Sequence, residues 1–165
     1  MAIRAIREEG DPVLNKVCKE VKEVTPKIKE LIEDMIETMQ EANGVGLAAP
    51  QVGILRRICV VDVGEEFGTP EPVVLINPEI TQTEGEQFGQ EGCLSLPGYV
   101  GDVRRPMKVV VKGHDIDLKE FEITGEGLLA RALCHEIDHL SGHLYTELVE
   151  GGLRQVNQEE TEEEQ

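Results

Sequence analysis

Apolar residues recur at helical spacing in two stretches of the chain and in short β-branched runs between them. Ile28, Leu31, Ile32, Met35, Ile36 and Met39 follow the i, i+3, i+4 pattern of one helix face. Thr25 stands at the N-cap, Pro26 at the first helical position, and Asn43-Gly44 marks the end. This spacing predicts a helix made for packing, with its methionines in the core. A second helix is predicted over residues 126–140, stopping at Gly142. On its wheel Leu129, Leu133, Ile137 and Leu140 fall within an arc of about 80°, and Leu128, Ala132, His135, Glu136 and His139 share the neighbouring arc. A helix that is apolar or functional most of the way round belongs at the centre of a fold.

Strands are predicted at 58–63, 73–76, 80–83, 107–112 and 121–124, separated by Gly, Pro and Asn. Asp11-Pro12 signals a turn or helix start before Val13, Leu14 and Val17. No regular alternation of strand and helix appears, which excludes a doubly wound parallel sheet. The expected fold class is α+β, with antiparallel or mixed sheets wrapped around the 126–140 helix.

A chain of 165 residues is long enough to bury a core without staples, and 39% hydrophobic with only 3% aromatic residues makes that core aliphatic. One domain is expected over 1–156. Residues 157–165 hold five glutamates and no hydrophobic residue, the pattern of an acidic flexible tail. A net charge of −17 argues against direct nucleic-acid binding and against an anionic membrane surface. The apolar runs are too short for a membrane span, and Met1 to Gly10 mixes Arg and Glu where a signal peptide needs an apolar segment, so a cytoplasmic location is expected. Among the four cysteines there is no C-x-x-C pair, and Cys18 and Cys59 sit among apolar neighbours as core residues.

The chemistry concentrates in His135-Glu136-Ile137-Asp138-His139. At about 100° per residue the two histidines lie about 40° apart around the helix and Glu136 about 60° beyond His139. In an H-E-x-x-H helix the histidines are neutral metal ligands and the glutamate acts as a base without being a ligand. A catalytic metal usually takes a third protein ligand. The longer motif H-E-x-x-H-x-x-G-x-x-H fails here, since Tyr145 occupies its last position and His143 is out of register. The glutamates of 159–164 lie in a stretch with no apolar pattern to hold a ligand still. Cys93, in Gln90-Glu91-Gly92-Cys93-Leu94-Ser95-Leu96-Pro97-Gly98, is the best remaining candidate. A zinc metallopeptidase would need a downstream ligand, and a non-enzymatic structural metal site would need a fourth; counting ligands separates these alternatives.

Three segments together resemble the peptide deformylase family: Gly44-Val45-Gly46-Leu47-Ala48-Ala49-Pro50-Gln51, Glu91-Gly92-Cys93-Leu94-Ser95, and His135-Glu136-Ile137-Asp138-His139-Leu140-Ser141-Gly142. The resemblance extends to about residue 150. It implies hydrolytic removal of the formyl group from the N-terminal formylmethionine of newly synthesised polypeptides, with release of formate. It further implies one divalent metal ion held by Cys93, His135 and His139, Fe(II) natively, with zinc, nickel or cobalt able to substitute. Glu136 would move the proton from the attacking water to the departing amine. The Gln51 amide and the Leu94 backbone N–H would donate to the oxyanion. Val45, Gly46, Glu91 and Gly92 would hold the substrate backbone as an added strand, and Leu128, Arg131 through its stem, Ala132 and His135 would line a methionine pocket. Glu91 and Asp138 are candidates for orienting the histidines. The implied partners are N-formylmethionyl nascent chains and the ribosome that carries them.

The chain departs from the family pattern in three places. Cys134 stands where many relatives carry Gln and points away from the ligands on the wheel. Asn43 replaces an acidic residue found in some relatives. Where some members extend as a basic helix that contacts the ribosome, this chain ends in glutamates. Contact between that end and anionic RNA would be repulsive. A chain ending at Asn157 is therefore expected to keep its metal and its activity on a short formyl-Met peptide. It should also bind ribosomes at low salt no less tightly than the full chain; a salt-sensitive loss of binding would make the tail a docking element.

Overall fold

The computed structural model describes residues 2–156; the expected tail at 157–165 lies outside them. The order of elements is α1 (Pro26–Glu41), β1 (Gly46–Ala48), β2 (Ile58–Val61), β3 (Val73–Glu84), β4 (Gln87–Gly92), β5 (Tyr99–Arg105), β6 (Lys108–His114), β7 (Glu120–Glu126), α2 (Leu128–Leu140) and β8 (Val149–Gln155). A five-stranded sheet runs β1-β2-β3-β6-β7 and a three-stranded sheet runs β4-β5-β8, with every ladder antiparallel. The one parallel pairing in the described residues is the isolated bridge between Lys19 and Arg56.

Alternating side chains of the larger sheet divide its residues between two cores. Cys59, Val61 and Leu75 pack with Leu129, Leu133, Ile137 and Leu140 of α2, while Ile58, Val60 and Ile76 pack with Leu31, Ile32, Met35 and Met39 of α1. A strand covered on both faces reads as a continuous apolar run, and Ile58-Cys59-Val60-Val61 is buried at every position. The predicted apolar arc of α2 therefore faces the sheet. Every residue of α2 from Leu129 to Leu140 is buried except Asp138. Gly142 adopts φ +83°, and a Cβ there would lie 2.9 Å from the Asn15 backbone, so the residue after the helix must be glycine for conformation and for space.

Helix α1 begins as predicted, with Thr25 Oγ1 accepting from the Ile28 N–H at 3.3 Å, and Asn43 takes φ +55° just past its end. The strands depart more from expectation. The runs at 73–76 and 80–83 form one strand, β3, with register shifts on either side of Glu79. Asn77-Pro78 reads as a break because Pro78 has no N–H and Asn77 sits at φ +50°. The strand absorbs both as a bulge. Strands β1, β4, β5 and β8 went unpredicted. β1 is only three residues long, β4, β5 and β8 are rich in glycine and polar residues, and β8 pairs with a strand far away in the chain.

Asn77 also holds the segment before α1. Its Oδ1 accepts from the Val21 N–H and its Nδ2 donates to the Val21 carbonyl, both at 2.8 Å, and Val21 is buried. Asn77→Ala leaves two backbone groups unpaired and places alanine in a left-handed conformation. The expected loss is about 3 kcal/mol, seen as a drop in Tm of roughly 10 °C for a chain of this size. A change below about 2 °C in thermal unfolding would contradict this account.

Candidate active site

The second arc of α2 forms one wall of a cavity of about 430 Å³. Facing it are β1 with the 3-10 turn Ala49–Val52, and the loop 93–98 that joins β4 to β5. The cavity takes in every site residue named from the sequence except His139, which is fully buried behind it.

Cys93, one residue beyond β4, meets the helix: its Sγ lies 3.4 Å from His139 Nε2. The donor atoms of Cys93, His135 and His139 all fall within 4.8 Å of one another. One thiolate and two imidazoles suit a divalent transition metal, and the electrostatics fit as well. Burial holds the His139 pKa down to about 3, which keeps the ring neutral and able to ligate. Burial also opposes charge on His135, but Glu136, Cys93 and Glu91 outweigh it and push the ring well above its ordinary range. A cation at this point would satisfy that surplus of negative charge. Glu136 is buried, which raises its carboxyl to about 7 against the pull of His135. Its Oε2 is 4.0 Å from His135 Nε2, and its Oε1 has no hydrogen-bond partner in the described residues. A carboxylate poised near neutrality with a free oxygen has the character of a general base.

Gly46 explains why Glu136 can sit there. A Cβ at Gly46 would fall inside the Glu136 side chain, 2.8 Å from its Cγ and Cδ, and one at Gly44 would lie 2.7 Å from Leu94 Cδ1. The two glycines are needed for close approach, not for an unusual backbone conformation. Gln51 is 1% exposed and fully engaged: its Oε1 accepts from the Ala48 N–H at 2.9 Å, and its Nε2 donates to Ser95 Oγ at 3.0 Å and towards Cys93 Sγ at 3.5 Å. The Ala48 N–H must donate, so it fixes which end of the amide faces the site. The loop is closed by the Leu96 N–H to the Cys93 carbonyl at 3.0 Å, leaving the Leu94 N–H without an acceptor among the described residues.

Glu91 lies where both of its expected places, at the cavity and beside His135, coincide. The residue is 6% exposed, and its carboxylate is fully taken up by neighbouring side chains. Oε1 accepts from Arg105 Nε at 3.1 Å and Arg131 Nη1 at 3.2 Å; Oε2 accepts from Arg105 Nη2 at 2.7 Å and pairs with His135 Nδ1 at 3.0 Å. Burial would raise this carboxyl, but the hydrogen bonds from His135 and Arg105 hold it down to about 2. Any contact of Glu91 with substrate thus falls to its backbone. Arg131 likewise spends its guanidinium on Glu91 and the Val103 carbonyl. Asp138 reaches the site indirectly, accepting from Arg105 Nη1 at 2.7 Å. Cys134 is 4% exposed in the α2 core and burial lifts its thiol to about 11, consistent with packing. His143 is exposed and paired with Glu147.

Sequence reasoning missed Arg105, Ser95 and Tyr145. The Tyr145 ring packs on His135 with centroids 5.8 Å apart, and its hydroxyl donates to the Tyr99 carbonyl at 3.3 Å. In the sequence Tyr145 shows only as a mismatch to a ligand position, and Ser95 carries no chemical signal of its own within the Cys93 segment. Arg105 sits in a basic pair before a proline and carries no local signal of burial.

Three protein donors leave a divalent ion an open position, and with a base beside it this defines a metal-dependent hydrolase, not a closed structural site. Comparison with known proteins narrows the class. The chain belongs to the polypeptide deformylase family, whose model matches residues 3–154. It is 63% identical over 163 residues to a peptide deformylase of Agathobacter rectalis, covering 99% of this chain and 100% of that one. It is 59% identical to one of Lachnoclostridium phytofermentans, covering 100% of both. The fold matches the crystal structure of a peptide deformylase from Legionella pneumophila with a TM-score of 0.85 and 46% identity, covering 90% of this chain and 87% of the other. It also matches the Synechococcus elongatus enzyme in complex with actinonin, with a TM-score of 0.84 and 42% identity over 88% and 80%. The chain is accordingly a metal-dependent amidohydrolase that removes formyl groups from nascent peptides. No helix in the described residues is long and apolar enough to cross a membrane.

Replacing Glu91 by Gln leaves two buried guanidinium groups short of their counter-charge. Breaking a buried ion pair from one side costs about 3 to 5 kcal/mol, so Glu91→Gln should lower Tm by roughly 10 °C and weaken metal binding by about 10- to 100-fold. The native carboxyl is held below its ordinary value of 4.5. Its stabilisation is therefore complete above that pH and lost as pH falls towards about 2. Tm measured against pH should show that acid loss in the native chain and a flatter curve in the variant.

Proposed function

We propose that formyl hydrolysis in this chain is carried by Glu136 as the proton-transfer group, with Cys93, His135 and His139 holding the metal and with Gln51 and Leu94 as oxyanion donors. The observation that carries this reading is the convergence of three donor atoms from two distant motifs beside a buried carboxylate with an unpartnered oxygen. A divalent ion in this donor set supplies Lewis acidity, making water acidic enough for use as hydroxide near neutral pH. Glu136 takes the water proton and returns it to the departing amine. Attack on the formyl carbon places negative charge on the carbonyl oxygen, where the uncommitted Leu94 N–H donates and Gln51 Nε2 exchanges its long 3.5 Å contact with Cys93 Sγ for the oxyanion while keeping Ser95. The backbone edges at Val45, Gly46, Glu91 and Gly92 bind the substrate chain as an added strand. Leu128, Ala132, the stem of Arg131 and the face of His135 receive the methionine side chain.

The resident metal on this reading is Fe(II), with zinc, nickel or cobalt able to occupy the same donors. Its substrates are formylmethionyl chains presented in the cytoplasm by the ribosome, which the chain meets transiently and without an acidic docking arm. Metal analysis of anaerobically purified protein, paired with formate release from a formyl-Met peptide, tests both parts. Glu136→Ala should keep most of the metal while turnover falls at least about 10²-fold. Cys93→Ala should lose the metal, whereas Cys134→Ala should show only a modest packing defect. Near-normal turnover in a fully loaded Glu136→Ala, or metal loss in Cys134→Ala in place of Cys93→Ala, would reject the assignment.

A further inference from the structure

Helix α1 carries two buried polar side chains that the catalytic reading leaves unused. Asp34 and Thr38 lie one turn apart and are 3% and 2% exposed, on a face otherwise made of Leu31, Ile32, Met35 and Met39. A buried carboxylate and hydroxyl need partners, and theirs come from the start of the chain. The Ala2 N–H donates to Asp34 Oδ1 at 2.7 Å, Arg4 Nε to Asp34 Oδ2 at 2.9 Å, and the Arg4 N–H to Thr38 Oγ1 at 2.9 Å.

From this mooring, residues 4–9 run largely exposed and outside any sheet, past the segments that build the site. The Arg7 N–H donates to the Gln51 carbonyl and the Glu9 N–H to the Ser95 carbonyl, both at 2.7 Å. Residues two apart in an extended chain present their N–H groups on the same edge. Glu9 Oε1 also accepts from Thr146 Oγ1 at 3.4 Å, in the 3-10 turn that follows α2. Gln51 and Ser95 are thus tied twice, side chain to side chain at 3.0 Å and backbone to backbone through this strap.

We infer that residues 2–9 are a positioning strap for the reaction, moored on Asp34 and Thr38 so that its edge holds the Gln51 turn and the Cys93–Ser95 turn at a fixed separation. The inference rests on the reading of Gln51 as an oxyanion donor. Oxyanion donors work only where they are held in advance, and a misplacement of about 1 Å can cost about 10²-fold in rate. The strap is largely exposed, with Ile6 packed partly against the α1 core, so its hold depends on these few hydrogen bonds and that apolar contact. Asp34 and Thr38 act through it and touch no substrate.

The test uses metal-loaded full-length enzyme with two readouts, kinetics on a formyl-Met peptide and amide hydrogen exchange in residues 2–12. Thr38→Val keeps side-chain shape and removes the hydroxyl; it should lower kcat by roughly 10-fold, with KM within about twofold, and speed exchange of the Arg7 and Glu9 amides by at least about 10-fold. Thr38→Ser should restore both, and Asp34→Asn, measured the same way, keeps the test decisive where Thr38→Val folds poorly. Gln51→Ala alone should lower kcat by about 10², and adding Thr38→Val to it should cost less than about twofold more, because both act on one donor. Unchanged exchange and kcat in Thr38→Val, or losses that multiply in the double variant while Gln51→Ala shows its full effect, would overturn the strap alone. Normal kcat in Gln51→Ala would overturn the donor assignment and the strap with it.

Discussion

The arrangement of this site depends on the carboxylate of Glu91. Its two oxygens have about four acceptor positions, and the structure supplies a partner for each from Arg105 of β5 and from Arg131 and His135 of α2. One side chain at the end of β4 thereby joins the three-stranded sheet to the central helix and fixes the ring of His135. The arrangement is tolerable in a buried setting only because it is complete: two guanidinium groups balance Glu91 and Asp138, and none of these charges is left without a partner. With its Nδ1 held, His135 presents Nε2 towards the cavity, so a bond made outside the donor set decides how one member of that set is aimed.

Close packing does the rest. The larger sheet is covered by α1 on one face and α2 on the other, which leaves the ligand helix no freedom to shift along its axis. Gly46 lets the backbone of β1 pass against Glu136, so that side chain is confined between strand and helix. The cavity is partly open to solvent, whereas His139 sits fully buried behind it.

Much of this was legible in the chain. Helical spacing located α1 and α2 to within two residues, and the two arcs of α2 separated core from chemistry as the wheel predicts. The three motifs contain about half of the cavity lining, with the flanking residues of the same segments supplying most of the rest, because each is a local device: a helix face, a pair of close-approach glycines, a cysteine in a tight turn. The smaller sheet was not legible, since β4, β5 and β8 contain few β-branched residues and the third strand, β8, joins the β4-β5 hairpin from about fifty residues further along the chain. The pairing of Glu91 with two arginines was hidden for a related reason. Its partners Arg105 and Arg131 look like surface residues in sequence, and only the approach of β5 to α2 turns them into buried ones. Asn77-Pro78 misled in the opposite direction, as a local break that the sheet accommodates.

The pairing of β8 with β5 has a consequence for biosynthesis. Cys93 sits in the loop of the β4-β5 hairpin, and the free edge of that hairpin is covered by Val149–Gln155, close to the end of the domain. A chain emerging from its N-terminus can assemble α1 and the early strands as they appear. The small sheet, however, cannot close until nearly all of the domain has been synthesised. The segment carrying the thiolate is therefore among the last to be braced, and an interrupted translation product that lacks β8 would carry all three motifs without the framework that brings them together.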